Sequence, residues 1–290
     1  MRNIVLAGPV DLSGFRRAAR ALLTAQVPPD YISWHSRVEV TQDLFSSDEA
    51  PLTELPAPAH ETAASIRVPP EFASLCASVI LHSDTNRFGL MYRLLWRLKT
   101  EAALRHDPLD ADWLQAQRMA QAVRRDMHKM KAFVRFRVVA QPGEVDALLP
   151  SPLHIAWFEP EHHTLQATAP FFVRRFTQMR WAILTPESSA AWDGQALTIG
   201  PGAKKQDMPP ADAGEALWLT YYQHIFNPAR LKLKMMQKEM PKRYWKNLPE
   251  AQFISELAAG ATERRMRMIT QAPIAPRRRV PPYIKPVQVE

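Results

Sequence analysis

A short run of titratable side chains, EPEHH at residues 159–163, is the part of the sequence best equipped for chemistry. It follows a stretch predicted to be a strand, so it would lie at a strand end. Carboxylates and imidazoles can transfer protons or bind a metal ion, which makes Glu159, Glu161, His162 and His163 candidate catalytic residues. A polar turn is the alternative, because adjacent side chains usually point in different directions. No second group of ligands is apparent in the sequence, so we predict no metal site.

A second chemical feature is the concentration of cations and aromatic rings in residues 225–257. Asn227 and Pro228 predict the start of a helix, because asparagine caps helices and proline fits their first position. Apolar and cationic residues then recur on different faces of that helix, and the link KRYWK follows Pro241. The candidate nucleic-acid-binding residues of this region are Arg230, Lys234, Lys238, Lys242, Arg243, Tyr244, Trp245 and Lys246.

These residue types favour an anionic partner, with DNA first. Lysine and arginine neutralise phosphates, and aromatic rings stack on unpaired bases. A sparser cationic stripe adds support, since Arg118, Arg125 and Lys129 share one face of a helix predicted to begin near Asp110. Two alternatives stay open: the cations could form an ordinary solvated surface, and the two aromatic rings could pack beside Leu248.

The net charge of +8 is unevenly distributed along the chain. Residues 228–290 contain 14 lysines and arginines against 5 aspartates and glutamates, and residues 1–227 contain the other 23 and 24. The positive charge is therefore local to the C-terminal part, which is typical of a protein that docks an anionic partner.

The single cysteine restricts the possible cofactors. Cys76 shares a predicted helical face with Phe72 and Val79, which indicates a buried thiol. One cysteine cannot form a disulfide within the chain, and iron–sulfur clusters and cysteine-rich zinc sites need several thiolates, so we predict no cofactor. The sequence has no run of about 18 apolar residues and no secretory segment, and we expect a cytoplasmic protein without a membrane partner.

Hydrophobic periodicity predicts an α+β fold, with an antiparallel sheet flanked by helices and a helix-rich C-terminal part. Predicted strands cover residues 3–8, 31–34, 38–40, 131–139, 153–160 and 180–187, and a hairpin turns at Asp193-Gly194. Predicted helices cover residues 14–23, 72–81, 87–105, about 110–130 and 165–176. The predicted domains are a strand–helix unit (1–41), an acidic linker or loop rich in proline and alanine (42–66), a main α+β domain (67–270) and a basic proline-rich tail (271–290).

Long strings of the sequence resemble a bacterial family of uncharacterised DNA-metabolism proteins. They include VLAGPVDLSGFRRAARALL, AVRRDMHKMKAFVRFR, IAWFEPEHHTLQATAPFFVRRF, WAILTPESSAAWDGQALTIGPG, YYQHIFNPARLK and EMPKRYWKNLPEA. The resemblance covers nearly the whole chain to about Ile269. It implies a role in DNA repair or modification, beside a radical-SAM DNA repair protein or ahead of a uracil-DNA-glycosylase-like domain. After Ile269 only a short tail follows, so glycosylase or radical chemistry would belong to a partner.

Three hypotheses follow from the sequence. The first is a DNA-binding accessory protein of repair or modification that acts with a radical-SAM or glycosylase-type partner. The second is an enzyme that acts directly on damaged or modified DNA through the residues of EPEHH. The third is an adaptor whose basic face docks an acidic protein. The lesion, the strand preference and the oligomeric state are left open.

Overall fold

The computed structural model describes residues 1–37, 68–139, 152–208, 233–254, 260, 266–267 and 269–270. The chain divides into two compact units, Met1–Asp212 and Ala213–Glu290. The domain boundaries predicted from the sequence stay predictions, because most of them lie outside the described residues.

The chain begins with two parallel strands joined across a helix. β1 (Arg2–Leu6) pairs in parallel with β2 (Ile32–Ser36). A parallel pair needs a crossover connection, and α1 (Leu12–Thr24) lies within it. The apolar face of α1, which includes Phe15 and Leu22, is buried. The first predicted strand and helix are therefore confirmed, whereas the strand predicted at 38–40 lies outside the described residues.

Three further helices complete the first core. They are α2 (Pro70–Val79), α3 (Arg87–Arg97) and α4 (Ala111–Phe133). Their apolar faces join those of β1, β2 and α1 in one buried cluster. The predicted burial of Cys76 is confirmed, and burial raises the pKa of its thiol to about 12.

The helix predicted over residues 87–105 ends earlier than expected. α3 stops at Arg97, whose guanidinium donates to Asp110 (2.7 Å) and Glu101 (2.9 Å). A short 3-10 helix, Ala102–His106, follows. Because Asp110 also caps α4 by accepting from the N–H of Trp113 at 2.8 Å, these ionic contacts tie the end of one helix to the start of the next.

A five-stranded sheet forms the second part of this unit. Its strands, in spatial order, are β3 (Phe136–Val138), β4 (Leu153–Trp157), β5 (Arg180–Leu184), β6 (Ser188–Trp192) and β7 (Leu197–Pro201). α5 (Leu165–Arg175) connects β4 to β5, and these two strands are parallel. The other neighbours are antiparallel. The α+β class is confirmed, and the sheet is mixed but mostly antiparallel.

The strand predicted over residues 131–139 is shorter in the structure, because α4 continues to Phe133. Lys131 and Ala132 have high helix propensity, which outweighs the strand-like alternation of the sequence. Arg135 then falls in the link and donates to the carbonyl oxygen of Ala132 at 2.8 Å. Arg137, which also belongs to the predicted strand, lies within β3.

The predicted Asp-Gly hairpin is confirmed between β6 and β7. Asp193 Oδ1 accepts from the backbone N–H groups of Gln195 and Ala196, both at 2.7 Å. Gly194 has φ +105°, a conformation that side-chain-bearing residues rarely adopt.

The C-terminal unit contains α6 (Leu233–Glu239) and two 3-10 helices, Lys242–Asn247 and Pro249–Phe253. Pro241 separates the first two elements, as the sequence predicts. The expected helix start at Asn227 lies outside the described residues. No helix among the described residues is long and apolar enough to cross a membrane.

The N-terminal cap of α1 provides a test of this fold. Burial raises the pKa of Asp11, but hydrogen bonds from the N–H of Gly14, from Ser13 and from the N–H of Ala7 outweigh it and lower the pKa overall. We expect Asp11→Ala to destabilise the protein by about 1 kcal/mol in chemical denaturation, because three donors lose their acceptor. Asp11→Asn keeps a capping oxygen and is the matched control; an equal loss in both variants would contradict the cap.

Candidate functional site

The EPEHH residues lie in the loop between β4 and α5, residues 158–164, which we call the β4–α5 loop. β4 and β5 are parallel neighbours, so the loops that leave their carboxyl ends share one edge of the sheet. The N–H of Phe158 donates to the carbonyl oxygen of Leu184 at 3.0 Å, which joins the start of this loop to the end of β5. Ligands of α/β proteins bind characteristically at such edges.

A buried carboxylate on α4 holds the β4–α5 loop in place. Asp126 is 1% exposed, and its Oδ1 accepts from the N–H of Glu161 at 3.2 Å. Its Oδ2 accepts from the N–H of His162 at 3.2 Å and from the hydroxyl of Thr164 at 2.9 Å. Hydrogen bonds to a buried charge are among the stronger ones, so the loop conformation depends on this residue.

The loop between α2 and α3, residues 80–86, packs on the β4–α5 loop through two histidines. The rings of His82 and His162 lie 4.2 Å apart between centroids, at 31°. The backbone N–H of Ser83 donates to Nδ1 of His162 at 3.3 Å, and the Ser83 hydroxyl oxygen lies 3.0 Å from the same nitrogen. The N–H of His163 donates to the carbonyl oxygen of Leu81 at 2.9 Å, which closes the contact between the two loops.

These hydrogen bonds define the protonation of both rings. The N–H of Asp84 donates to Nδ1 of His82 at 3.0 Å, just as that of Ser83 donates to Nδ1 of His162. A nitrogen that accepts from a backbone N–H carries no hydrogen, so each neutral ring has its proton on Nε2. Burial lowers the pKa of both histidines; the neighbouring His162 lowers that of His82 further, while Asp126 partly opposes the shift at His162.

His163 forms a pair with a carboxylate on the next loop of the sheet. Its Nδ1 lies 2.6 Å from Oε2 of Glu187, which follows β5. The hydrogen bond from His163 lowers the pKa of Glu187, and this effect exceeds the opposing one of burial. The carboxylate therefore fixes Nδ1 as a donor, and Nε2 is the nitrogen left to act as a base when the ring is neutral.

Arg87 supports the α2–α3 loop from within the core. Its side chain is fully buried, and its three guanidinium nitrogens donate to the carbonyl oxygens of Ile80 (3.0 Å), Asp84 (2.8 Å) and Pro9 (2.7 Å). It thus ties this loop to the segment between β1 and α1, so His82 and Ser83 are held from both sides.

The structure brings together only part of what the sequence suggested for catalysis. His162 and His163 lie in the cluster, Glu161 contributes its backbone N–H, and the Glu159 carboxylate accepts from the indole N–H of Trp157 at 2.9 Å. Sequence reasoning missed Ser83, Arg87, Asp126 and Glu187, which come from distant segments. One signal was readable: Asp126 lies at helical spacing from Val123 and Met130, so a carboxylate interrupts an otherwise apolar face.

Within the described residues, no group of three or more His, Cys, Asp or Glu side chains is arranged to hold a metal ion. The cluster formed by His82, Ser83, Asp126, His162, His163 and Glu187 is therefore a set of hydrogen-bonded proton donors and acceptors, and we call it the histidine cluster.

The cationic stripe predicted on α4 is largely at the surface. Arg118 and Arg125 are exposed, as is the neighbouring Arg124, whereas Lys129 is half-buried with its ammonium 5.8 Å from the Phe133 ring centroid. The outer side of α4 therefore presents guanidinium groups to solvent.

The basic link of the C-terminal unit divides into exposed cations and packed rings. Lys238, Lys242, Arg243 and Lys246 are exposed. Tyr244 is only 3% exposed and Leu248 4%, so both side chains are buried, which agrees with the alternative that the ring packs in the core. The stacking of Tyr244 on a base stays a prediction.

Trp245 of the same link is half-buried, and its indole N–H donates to the carbonyl oxygen of Met240 at 2.9 Å. Arg230 and the side chain of Lys234 lie outside the described residues.

Comparison with known proteins identifies the family. A family profile described as a domain of unknown function, DUF4130, matches residues 85–250, which is more than half of the chain, and the protein belongs to this family. The matched region includes Arg87, Asp126, the β4–α5 loop and Glu187, and it begins just after His82. No curated protein and no solved structure matches the chain.

Removing the Asp126 carboxylate tests whether it holds the β4–α5 loop. We expect Asp126→Ala to destabilise the protein by about 3 kcal/mol, because two backbone N–H groups and one hydroxyl lose a charged acceptor in a buried place. Equilibrium denaturation measures the loss, and hydrogen exchange of the Glu161 and His162 amides should accelerate with it. Asp126→Asn, which keeps one acceptor oxygen, should lose less; unchanged exchange in both variants would show that the loop is held by other contacts.

His82 and His162 predict a pH dependence of stability. The unfolded chain protonates histidine near the ordinary pKa of 6.5, whereas burial lowers the pKa of these two histidines in the folded protein. The unfolded state therefore binds more protons in that window, so the free energy of unfolding should fall as the pH falls below 6.5.

Denaturation series at several pH values should show a shallower slope for His162→Asn, which keeps an acceptor near the Nδ1 position but does not titrate. His128→Asn, at an exposed position of α4, is the matched control for the loss of a histidine. If the free energy of unfolding of His162→Asn varied with pH as steeply as that of the unmodified protein, another titrating group would cause the pH dependence.

Proposed function

We propose that this protein binds DNA, as an accessory factor of repair or modification, and that the outer face of α4 contacts the phosphate backbone. The single observation that carries this proposal is the charge pattern of α4. From Trp113 to Phe133 the helix contains one carboxylate, Asp126, and that carboxylate is buried on the opposite side. The solvent face over this length therefore carries cationic and neutral groups only.

The length of this face suits a polyanion. Arg118, Arg124, Arg125 and Lys131 are exposed over thirteen residue steps, which corresponds to about 20 Å at a rise of about 1.5 Å per residue. Successive phosphates of one DNA strand are about 3.4 Å apart along the axis, so several fall within this span. A single small anion would engage only one or two of these side chains.

The arginines of this face are not used for internal ion pairs. Arg118, Arg124 and Arg125 form no salt bridge with any described residue. The contrast with α3 is direct, since Arg93 and Arg97 both bind Asp112. The arginines of α3 therefore hold α3 against α4, whereas the arginines of α4 face solvent.

The C-terminal unit supplies further exposed cations for the same kind of partner. Lys238, Lys242, Arg243 and Lys246 are exposed, and the excess positive charge of the chain begins at residue 228. Both surfaces support a polyanionic ligand, whereas a docking site for one acidic protein would need only one of them.

The repair context of the proposal comes from the resemblance to bacterial DNA-metabolism proteins. In that context the chain positions DNA, while a radical-SAM or uracil-DNA-glycosylase-type partner supplies the chemical step. Titration of single-stranded, duplex and uracil-containing DNA, with and without the radical-SAM partner, would show which DNA is bound and whether the partner strengthens binding. Co-purification of an acidic protein that persists after nuclease treatment would favour the adaptor hypothesis instead.

The α4 surface is tested by replacing Arg118, Arg124 and Arg125 together by alanine. We expect weaker DNA binding, and a salt dependence of log Kd whose slope is smaller by about 2–3, because each lost phosphate contact releases about 0.9 fewer counterions. Fluorescence anisotropy at several salt concentrations measures both quantities.

The matched control replaces Arg16, Arg17 and Arg20 by alanine. These arginines are exposed on α1, so the control variant loses the same charge from another helix. Equal weakening by both triple variants would mean that net charge, and not the α4 face, determines binding.

A further inference from the structure

The structure places the Ser83 hydroxyl, a potential nucleophile, against His162 of the histidine cluster. Its oxygen lies 3.0 Å from Nδ1 of His162, and the Ser83 side chain is exposed while His162 is 8% exposed. A nucleophile within hydrogen-bond reach of a base that is itself held in position is the arrangement required for covalent catalysis.

The base meets its own requirements. The Ser83 N–H donates to Nδ1 at 3.3 Å, so this nitrogen has a lone pair and no hydrogen. The imidazole is oriented by the His82 ring at 4.2 Å, and its backbone is fixed by the hydrogen bond to Asp126. Burial lowers the pKa of His162, so the ring is neutral and basic at neutral pH.

We propose that Ser83 is a nucleophile activated by His162, acting on a phosphate ester. The phosphate class rests on the proposed function, because a bound DNA presents phosphodiester groups. In the step, Ser83 Oγ forms a bond to phosphorus and its proton passes to Nδ1 of His162. The ester P–O bond breaks, and the leaving alkoxide takes that proton to become an alcohol. Water then attacks the phosphoserine and gives one proton to Nδ1 of His162. The P–O bond to Ser83 breaks, and the Ser83 oxygen takes that proton back.

Ser83 lies two residues before the region that matches the family profile. Of the catalytic candidates in EPEHH, His162 acts in this step, and it acts as the base and not as the nucleophile. The inference adds a reaction to the proposed DNA binding. Its choice of substrate rests on that binding, whereas hydroxyl activation and its test do not involve DNA.

Diisopropyl fluorophosphate tests the pair without any knowledge of the natural substrate. In this reagent the P–F bond breaks, fluoride leaves, and the Ser83 proton goes to His162. We expect peptide mass spectrometry of the full chain to find the phosphoryl adduct on Ser83 and to find none there in Ser83→Ala. Ser74→Ala, which removes an exposed serine of α2, is the matched control and should leave labelling unchanged.

His162→Asn separates activation from folding. Asparagine keeps an acceptor for the Ser83 N–H but cannot take a proton, so labelling should slow by about 100-fold or more, the contribution of a positioned base. In the unmodified protein, labelling should slow as the pH falls below 6.5, when His162 becomes protonated among its titratable neighbours His82, His163 and Asp126.

Labelling of Ser83 in His162→Asn at the unmodified rate would overturn the proposal, as would the absence of an adduct in the unmodified protein. Labelling of the variant in which Arg118, Arg124 and Arg125 are all replaced by alanine keeps the two proposals distinguishable. Unchanged labelling of Ser83 is expected there, because Ser83 lies on the α2–α3 loop and not on the outer face of α4.

Discussion

The arrangement of the candidate site depends on one buried carboxylate. Asp126 projects from the apolar side of α4 and accepts from two backbone N–H groups and one hydroxyl of the β4–α5 loop. A carboxylate excluded from water needs such donors, and loop amides need acceptors, so each satisfies the other. The loop is thereby attached to a helix that belongs to the first core, although the loop itself belongs to the sheet.

This attachment gives α4 two roles on opposite faces. Its inner face joins the buried cluster through Trp113, Ala116 and Ala120 and also holds the β4–α5 loop through Asp126. Its outer face carries the exposed arginines. A helix about 35 Å long, from 23 residues at about 1.5 Å each, is long enough to serve both purposes. The exposed arginines and the histidine cluster are therefore linked through one continuous helix.

Several errors of the sequence interpretation have a common cause. The alternation in residues 131–139 suggested a strand throughout, yet helical propagation carried α4 to Phe133. The periodicity of residues 87–105 suggested one helix, yet α3 ends at Arg97 and a 3-10 helix follows. In both cases the local pattern was compatible with two states, and the pattern alone did not select between them. The parallel pairing of β4 and β5 was missed for a related reason, since α5 was recognised but its role as a crossover was not.

The sequence by itself determined the elements whose signals are local. Amphipathic periodicity was sufficient for α1, α2, α4 and α5. Turn chemistry was sufficient for the hairpin at Asp193-Gly194, and the sequence also indicated the buried thiol and the basic C-terminal part. Only the tertiary structure decided that His82 and Ser83 meet His162, that Glu187 meets His163, and that Asp126 lies beneath them. These contacts join residues 24–79 positions apart, and no local pattern encodes which distant donor will find which acceptor. Burial determines these pairings, because a polar group removed from water needs a hydrogen-bond partner among the groups that the fold places next to it.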